Sequence, residues 1–304
     1  MLGIADRILF YFFLVPLSYL PLSVLYFVGA RLHYLIYYFI RYRRKVVRTN
    51  LVKAFPDKTI QEIRTIERGF YRHFMRFIAE SVKARSIGAE EVLERTKIKN
   101  PELIEELYKK GKSVIVLCGH YNNWEFYSLS LHRQVPYKTY SVYQPLSNSF
   151  FNKVIYKSRT RTGMRLIKAK ELVGFLKATS AEQKLIVVVN DQSPTNVKTA
   201  YWNRFLNQET GWNIGAERIA RKFGIAVVFG HSEEVKRGFY EVTFRTISVD
   251  HHRSEDGDIT DGYSRILEEL ILKKPTNWLW SHKRWKRKKP VGKTQIIPIA
   301  EARA

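Results

Sequence analysis

Between Arg7 and Arg31 the chain runs for 23 residues, Ile8 to Ala30, without a formal charge, in a stretch rich in Phe, Leu and Tyr. As a helix rising about 1.5 Å per residue, it is long enough to cross a hydrocarbon layer of about 30 Å. Pro16 and Pro21 fall inside it, and proline kinks or breaks a helix interior. A second apolar stretch, Leu32 to Ile40, follows and carries Tyr34, Tyr37 and Tyr38, a residue type favoured where hydrocarbon meets water. Three readings compete. A cleaved signal peptide has a small-residue site in Val28-Gly29-Ala30, but its apolar region should span only about 7–15 residues. A buried helix pair of a soluble protein is the second, and a membrane anchor, spanning or lying in the interface, is the third. The cluster Arg41, Arg43, Arg44, Lys45 and Arg48 comes directly after. Cations there meet lipid headgroups and keep the following chain on the cytoplasmic side, so the anchor, facing the cytoplasm, is the expectation.

The charge balance also demands an anionic partner. The 304 residues carry a net charge of +24, with a second basic run at Lys283, Arg284, Lys286, Arg287, Lys288 and Lys289. Nucleic acid, anionic lipid and an acidic protein all fit that charge. Apolar residues make up 45% of the chain, too many for a disordered basic tail. Cys118 is the single cysteine, which excludes an intramolecular disulfide framework and a cysteine-built metal cluster. The eight histidines show no metal-ligand spacing. His251-His252, among Asp250, Arg253, Ser254, Glu255 and Asp256, reads as a solvated loop.

Further along, Ile60, Ile63, Ile66, Phe70, Phe74, Phe77 and Val82 recur at the spacing of an amphipathic helix, with Arg64, Arg68, Arg72 and Arg76 on another face. That arginine row is a solvated face or a contact to lipid phosphate. Ser113 to Cys118 is a continuous apolar run, as in the buried strands of parallel sheets. Tyr137–Val142, Leu185–Val189 and Ile225–Phe229 are similar, and Phe239–Val249 reads as a further strand. Helical stretches alternate with them, near Trp124–His132, Ser149–Thr160, Lys170–Thr179 and Asn213–Phe223, with a late helix at Thr260–Leu272. The expected fold is α/β: a mixed, largely parallel sheet flanked by helices, preceded by an N-terminal hydrophobic, membrane-anchoring helical region.

The sharpest local feature is Gly119-His120-Tyr121-Asn122-Asn123-Trp124-Glu125, directly after the strand that ends at Cys118. The carboxyl end of a parallel strand is where ligands bind. On one continuous helix His120 and Glu125 would sit about 140° apart. They meet only if His120 lies in the loop and Glu125 in the first helical turn, with Gly119 giving a tight exit and Asn122 or Asn123 the helix cap. A carboxylate bonded to one imidazole nitrogen fixes the tautomer and leaves the other nitrogen free to accept a proton, which suits activation of an external hydroxyl. The competing reading is a histidine at a strand end and an unconnected surface glutamate. No Gly-x-Ser-x-Gly elbow, phosphate loop or dinucleotide turn is present.

Gly119-His120-x-x-Asn123-Trp124-Glu125 resembles the His-x4-Asp/Glu motif of glycerolipid acyltransferases, and more narrowly that of the late (lauroyl/myristoyl) acyltransferases of lipid A biosynthesis. Four further stretches resemble that family in the same order: Arg48-Thr49-Asn50-Leu51 with Ala54-Phe55-Pro56; Arg159-x-x-x-Gly163; Asn190-Asp191-Gln192; and Trp278-Leu279-Trp280-Ser281-His282-Lys283-Arg284-Trp285. The likeness runs from about residue 5 to 290. Where the family usually has glycine before Asn-Trp-Glu, this chain has Asn122.

The resemblance implies an acyltransferase of the inner membrane, its catalytic domain facing the cytoplasm. It would move a fatty acyl chain from acyl carrier protein or acyl-CoA to a hydroxyl of a lipid A precursor, with no cofactor beyond that co-substrate and no metal. In that scheme His120 is the base and Glu125 orients it. Asn123, Arg159 and Asp191 serve substrate binding; for Arg159 a structural ion pair competes with a phosphate or oxyanion contact, and Asp191 equally suits a structural role. Trp278, Trp280 and Trp285 either form part of this motif or pack a C-terminal segment on the membrane. The implied partners are acidic acyl carrier protein, anionic lipid and the lipid acceptor, with no nucleic acid expected. The expected organisation is an anchor and basic segment over residues 1–48, a catalytic domain over 49–290 and a tail over 291–304. The rivals are a lysophospholipid or amino-lipid acceptor and, from a different class, a basic nucleic-acid-binding protein.

Overall fold

The computed structural model describes residues 7–290 apart from 180 and 251–254. The His251-His252 loop and the 291–304 tail lie outside the described residues.

Proline decides the shape of the N-terminus. After π-helical turns over Leu9–Leu14 and a short helix α1 (Val15–Tyr19), Leu20 turns extended (ψ 152°) and Pro21 precedes α2 (Leu22–Tyr34). A residue before proline is driven from the helical region, so the uncharged stretch is broken at Leu20–Pro21. Pro16 sits in the first turn of α1, where its missing N–H is no loss. The long apolar helix is therefore not Ile8–Ala30 but Leu22–Ile40, 19 residues made of α2 and the π-helical turns Leu35–Ile40. Arg31 falls within it, stacked over Phe27. Much of this region's apolar surface is open, with Phe12, Phe13, Phe27, Leu35, Phe39 and Ile40 all exposed.

Two helices follow: α3 (Arg44–Ala54) and α4 (Ile60–Lys83), whose start is fixed by a capping box between Thr59 and Glu62. The expected stripe of α4 is buried at Ile63, Phe70 and Phe77, while Ile60 is exposed. Part of the expected headgroup cluster is used internally: Arg44 and Arg48 reach the buried Glu67 of α4 at 3.0 and 2.8 Å. A carboxylate taken out of water needs such partners.

The remaining elements are α5 (Ala89–Arg95), β1 (Thr96–Ile98), α6 (Pro101–Lys109), β2 (Val114–Cys118), α7 (Trp124–Leu131), β3 (Lys138–Tyr143), α8 (Ser149–Thr160), β4 (Arg165–Lys168), α9 (Leu172–Ala178), β5 (Lys184–Val189), the hairpin β6 (Tyr201–Phe205) and β7 (Gln208–Trp212), α10 (Gly215–Phe223), β8 (Ala226–Lys236), β9 (Phe239–Ser248) and α11 (Asp258–Lys273). Seven strands form one sheet in the order β1-β9-β8-β2-β5-β3-β4, in which only the β8–β9 pairing is antiparallel. The expected α/β sheet is present. β1, β4 and the β6–β7 hairpin are additions to the expected strands; each is only three to five residues long.

Side chains alternate across the sheet. Ile115, Leu117, Ile186, Val227 and Phe229 join one core, under α3, α4, α11 and the β6–β7 hairpin. Val114, Val116, Cys118, Leu185, Val187 and Val228 join the other, under α6 and α7. Both faces of β2 are covered and all five of its residues are buried, which is why its sequence is apolar throughout. A third core joins Leu22, Leu25 and Tyr26 of α2 to Ala79 of α4 and Phe126 and Leu129 of α7, binding the apolar N-terminus to the body.

Candidate active site

Two neighbouring strands bring the site together. β2 and β5 run parallel with Cys118 opposite Val189, and the ladder continues through the Asn190 N–H to the Cys118 carbonyl at 3.0 Å. Two residues past Cys118 is His120; two past Val189 is Asp191. The register therefore delivers them side by side at the carboxyl edge of the sheet. His120 Nδ1 lies 2.6 Å from Asp191 Oδ1, and Asp191 Oδ2 accepts from the His120 backbone N–H at 2.7 Å and from the Trp278 indole at 2.8 Å.

Asp191 is buried and His120 half-buried. Burial alone would raise the Asp191 carboxyl. The charge and hydrogen bonds of His120, together with the Trp278 indole, outweigh it and hold the group down at about 2. With Asp191 ionised, Nδ1–H donates to it and Nε2 is the nitrogen left for chemistry. The Gln192 side-chain amide lies 3.4 Å from that Nε2.

Glu125 thus does not orient His120. It sits in the first turn of α7, where the helix dipole favours a carboxylate, and faces Arg159 of α8. Arg159 Nε and Nη2 meet its two oxygens at 3.1 and 2.5 Å, a bidentate pair. The structure therefore gives Arg159 an ion pair. Gly163, four residues on, lies in the turn after α8 with φ 106°, and a side chain there would strike the His132 ring.

Asn123 is buried rather than placed to meet substrate. Its Oδ1 caps α7 by accepting from the Phe126 N–H at 2.8 Å, and its Nδ2 donates to Glu80 at 2.7 Å. Glu80 also accepts from the hydroxyls of Tyr26 and Tyr240; burial lifts its carboxyl above the usual range, against the pull of these bonds. Asn122, at the position where the family carries glycine, has φ 54°, a left-handed backbone that asparagine tolerates better than most residues. Its amide donates to the Ser232 carbonyl at 2.6 Å and accepts from Asn277 at 2.7 Å. Gly119 is needed for close approach rather than for a tight turn: a Cβ there would lie 2.9 Å from Leu267 and 3.3 Å from Asp191 Oδ2.

Beside His120 lies a narrow aromatic groove of about 10 Å³, lined by Phe70, Phe74 and Phe77 of α4, Trp124, Asn277, Trp278 and Leu279. His73 also lines it, and burial, followed by the charges of Arg76 and Lys274, lowers its imidazole to about 3. His73 therefore adds no charge to the groove wall at neutral pH. Trp124 meets the His120 ring edge-on at 4.9 Å.

The chain matches the family described as bacterial lipid A biosynthesis acyltransferase over residues 1–287. It belongs to that family. It is similar to the lipid A biosynthesis palmitoleoyltransferase of Escherichia coli K12, 20% identical over 279 residues that make up 91% of this chain and 89% of the relative. The lipid A biosynthesis acyltransferase of Shigella flexneri matches to the same extent. The lipid A biosynthesis lauroyltransferase of E. coli K12 is 20% identical over 268 residues, 88% of this chain and 87% of the relative.

Several of the ordered motifs of this acyltransferase meet in space. Asn50 of α3 donates to the carbonyls of Trp280 and His282 at 2.9 and 3.0 Å, and Phe55 packs on the Trp280 ring. Trp278 and Trp280 are buried, so these two pack inside the protein, while Trp285 is half-buried against the same core. Trp278 had no reading from sequence as a partner of Asp191. For His120 and Asp191 the sequence offers only half a signal: two apolar strands, each followed after one residue by a polar group able to bond the other, with nothing local to make the strands neighbours.

Proposed function

We propose that this acyltransferase moves a fatty acyl chain from acyl carrier protein (or acyl-CoA) to a hydroxyl of a lipid A precursor, at the cytoplasmic face of the inner membrane. The observation that carries the reading is the His120 imidazole, locked through Nδ1 by Asp191 and set against an aromatic groove. In this mechanism Nε2 takes the proton of the acceptor hydroxyl as its oxygen attacks the thioester carbonyl. Asp191 stabilises the imidazolium, and the Gln192 amide donates to charge developing beside it. When the tetrahedral intermediate collapses, the C–S bond breaks, the thiolate takes the proton back from His120, and an ester remains. The aromatic rings beside His120 give the acyl chain an apolar surface to lie against. The Glu125–Arg159 pair ties α8 to α7 and so holds one wall of the site.

The exposed apolar helix Leu22–Ile40 supports membrane attachment, and the charge of +24 supports recruitment of an acidic carrier protein and anionic lipid. The test is to incubate membranes carrying the protein or its His120→Ala variant with labelled acyl donor and lipid A precursor. Acylated precursor from the first alone is expected; equal product from both would remove His120 from the mechanism. Replacing the precursor by a lysophospholipid or an amino-lipid tests the acceptor.

A further inference from the structure

Across the Trp278–Trp285 ring contact (5.9 Å) from the His120 groove, α3, the β6–β7 hairpin and the C-terminal segment line a recess of about 290 Å³. Lys45, Thr49 and Lys53 line it from one face of α3 at four-residue spacing, and Lys283 and Lys286 line it from the C-terminal segment. Trp285 forms a wall, held by its indole N–H donating to Thr210 at 2.7 Å. No acidic residue lines the recess. Glu209, next in the hairpin, pairs with Lys289 at 3.8 Å. None of the four lysines is within ion-pair distance of a carboxylate among the described residues, whereas Arg44 and Arg48 of the same helix share Glu67. The side-chain Nε2 of Gln208, also a lining residue, is buried without a hydrogen-bond partner.

We propose that this recess is a phosphate-binding subsite, distinct from the acyl-transfer centre. Its lining is rich in donors and carries no negative charge: four ammonium groups, the Thr49 hydroxyl, and the Gln208 amide N–H whose partner is missing. Buried donors are almost always satisfied, so an orphan among clustered cations marks where an acceptor belongs. A phosphate group brings a charge of about −1.5 to −2 and several acceptor oxygens, and lysine binds it as a point charge. A single carboxylate would leave most of the lysine charge unopposed. The recess approaches the size of small-ligand sites, about 300 Å³ and upward, which leaves room for part of the molecule that bears the phosphate. α3 begins four residues after the apolar helix ends at Ile40, within reach of a lipid headgroup. The source of the phosphate rests on the membrane reading above; the site itself does not.

The test uses the full-length protein in detergent micelles. Inorganic phosphate is titrated calorimetrically against the wild type, the Lys45→Ala/Lys286→Ala double variant, Gln208→Leu, and a control double variant at exposed lysines elsewhere, Lys97→Ala/Lys109→Ala. Loss of about tenfold or more in affinity is expected for the recess double variant and a smaller loss for Gln208→Leu, with the control unchanged. Equal losses in the two double variants, or none in either, would overturn the proposal. Phosphatidylcholine vesicles with and without phosphatidic acid then identify the source. Tighter, recess-dependent binding to the phosphatidic acid vesicles assigns a lipid phosphate, and binding no tighter than to inorganic phosphate assigns a free one. The His120→Ala protein should bind phosphate as the wild type does, so failure of the acyl-transfer reading and failure of this one are told apart.

Discussion

Asp191 and Glu125 are both carboxylates within the site, and the geometry separates their tasks. Asp191 touches the His120 imidazole; Glu125 touches a guanidinium. Asp191→Asn should therefore lower kcat by about 10²–10⁴-fold with little change in KM, the loss that follows when a base histidine is held in the wrong tautomer. Glu125→Gln should cost less in kcat. Steady-state acyl transfer by the two variants checks this, and a reversed order would return the orienting role to Glu125. Asn122 offers a second case. Its φ of 54° suits asparagine or glycine but not a β-branched residue. Asn122→Val should be less stable than Asn122→Gly by about 1–2 kcal/mol, read from denaturant midpoints, since both lose the same two side-chain hydrogen bonds and only valine adds backbone strain.

Between elements, the fork of Arg159 on Glu125 is the polar clasp joining α8 to α7. The pair is half-buried, so either single neutralisation leaves a charge without its partner. A double-mutant cycle with Glu125→Gln and Arg159→Gln should give a coupling of about 1–3 kcal/mol in unfolding free energy. At this scale much was legible in the sequence. The apolar runs ending at Cys118 and Val189 mark buried strands, and the spacing of Ile63, Phe70 and Phe77 marks the core face of α4, because both patterns follow from which faces are covered. The His120–Asp191 contact was not legible: it depends on which strands neighbour each other in the sheet, and local spacing favours the nearer carboxylate, Glu125. For the same reason the sequence left open whether the tryptophans near residue 280 serve the motif or pack on the membrane. Nothing local shows that Asn50 and Asp191 hold that segment in the interior.

For the molecule as a whole, three histidines are kept neutral by burial first: His73 at about 3, and His231 and His282 at about 4, all below the ordinary 6.5. Unfolding frees each to bind a proton below pH 6.5. Stability is therefore full above that value and falls as the pH drops from about 6.5 towards 4, by several kcal/mol in sum. Asp191 adds to the fall between its ordinary 3.8 and about 2. Chemical denaturation of the detergent-solubilised protein at pH 7.5 and 5 should show the drop, and His73→Phe should reduce it. The Trp278–Asp191 bond has a consequence in time as well as in space. The apolar N-terminus leaves the ribosome early, but the aspartate gains its indole partner only after residue 278 has been added. Partly translated chains would thus reach a bilayer with their chemistry still unassembled, unable to consume acyl donor before synthesis nears its close.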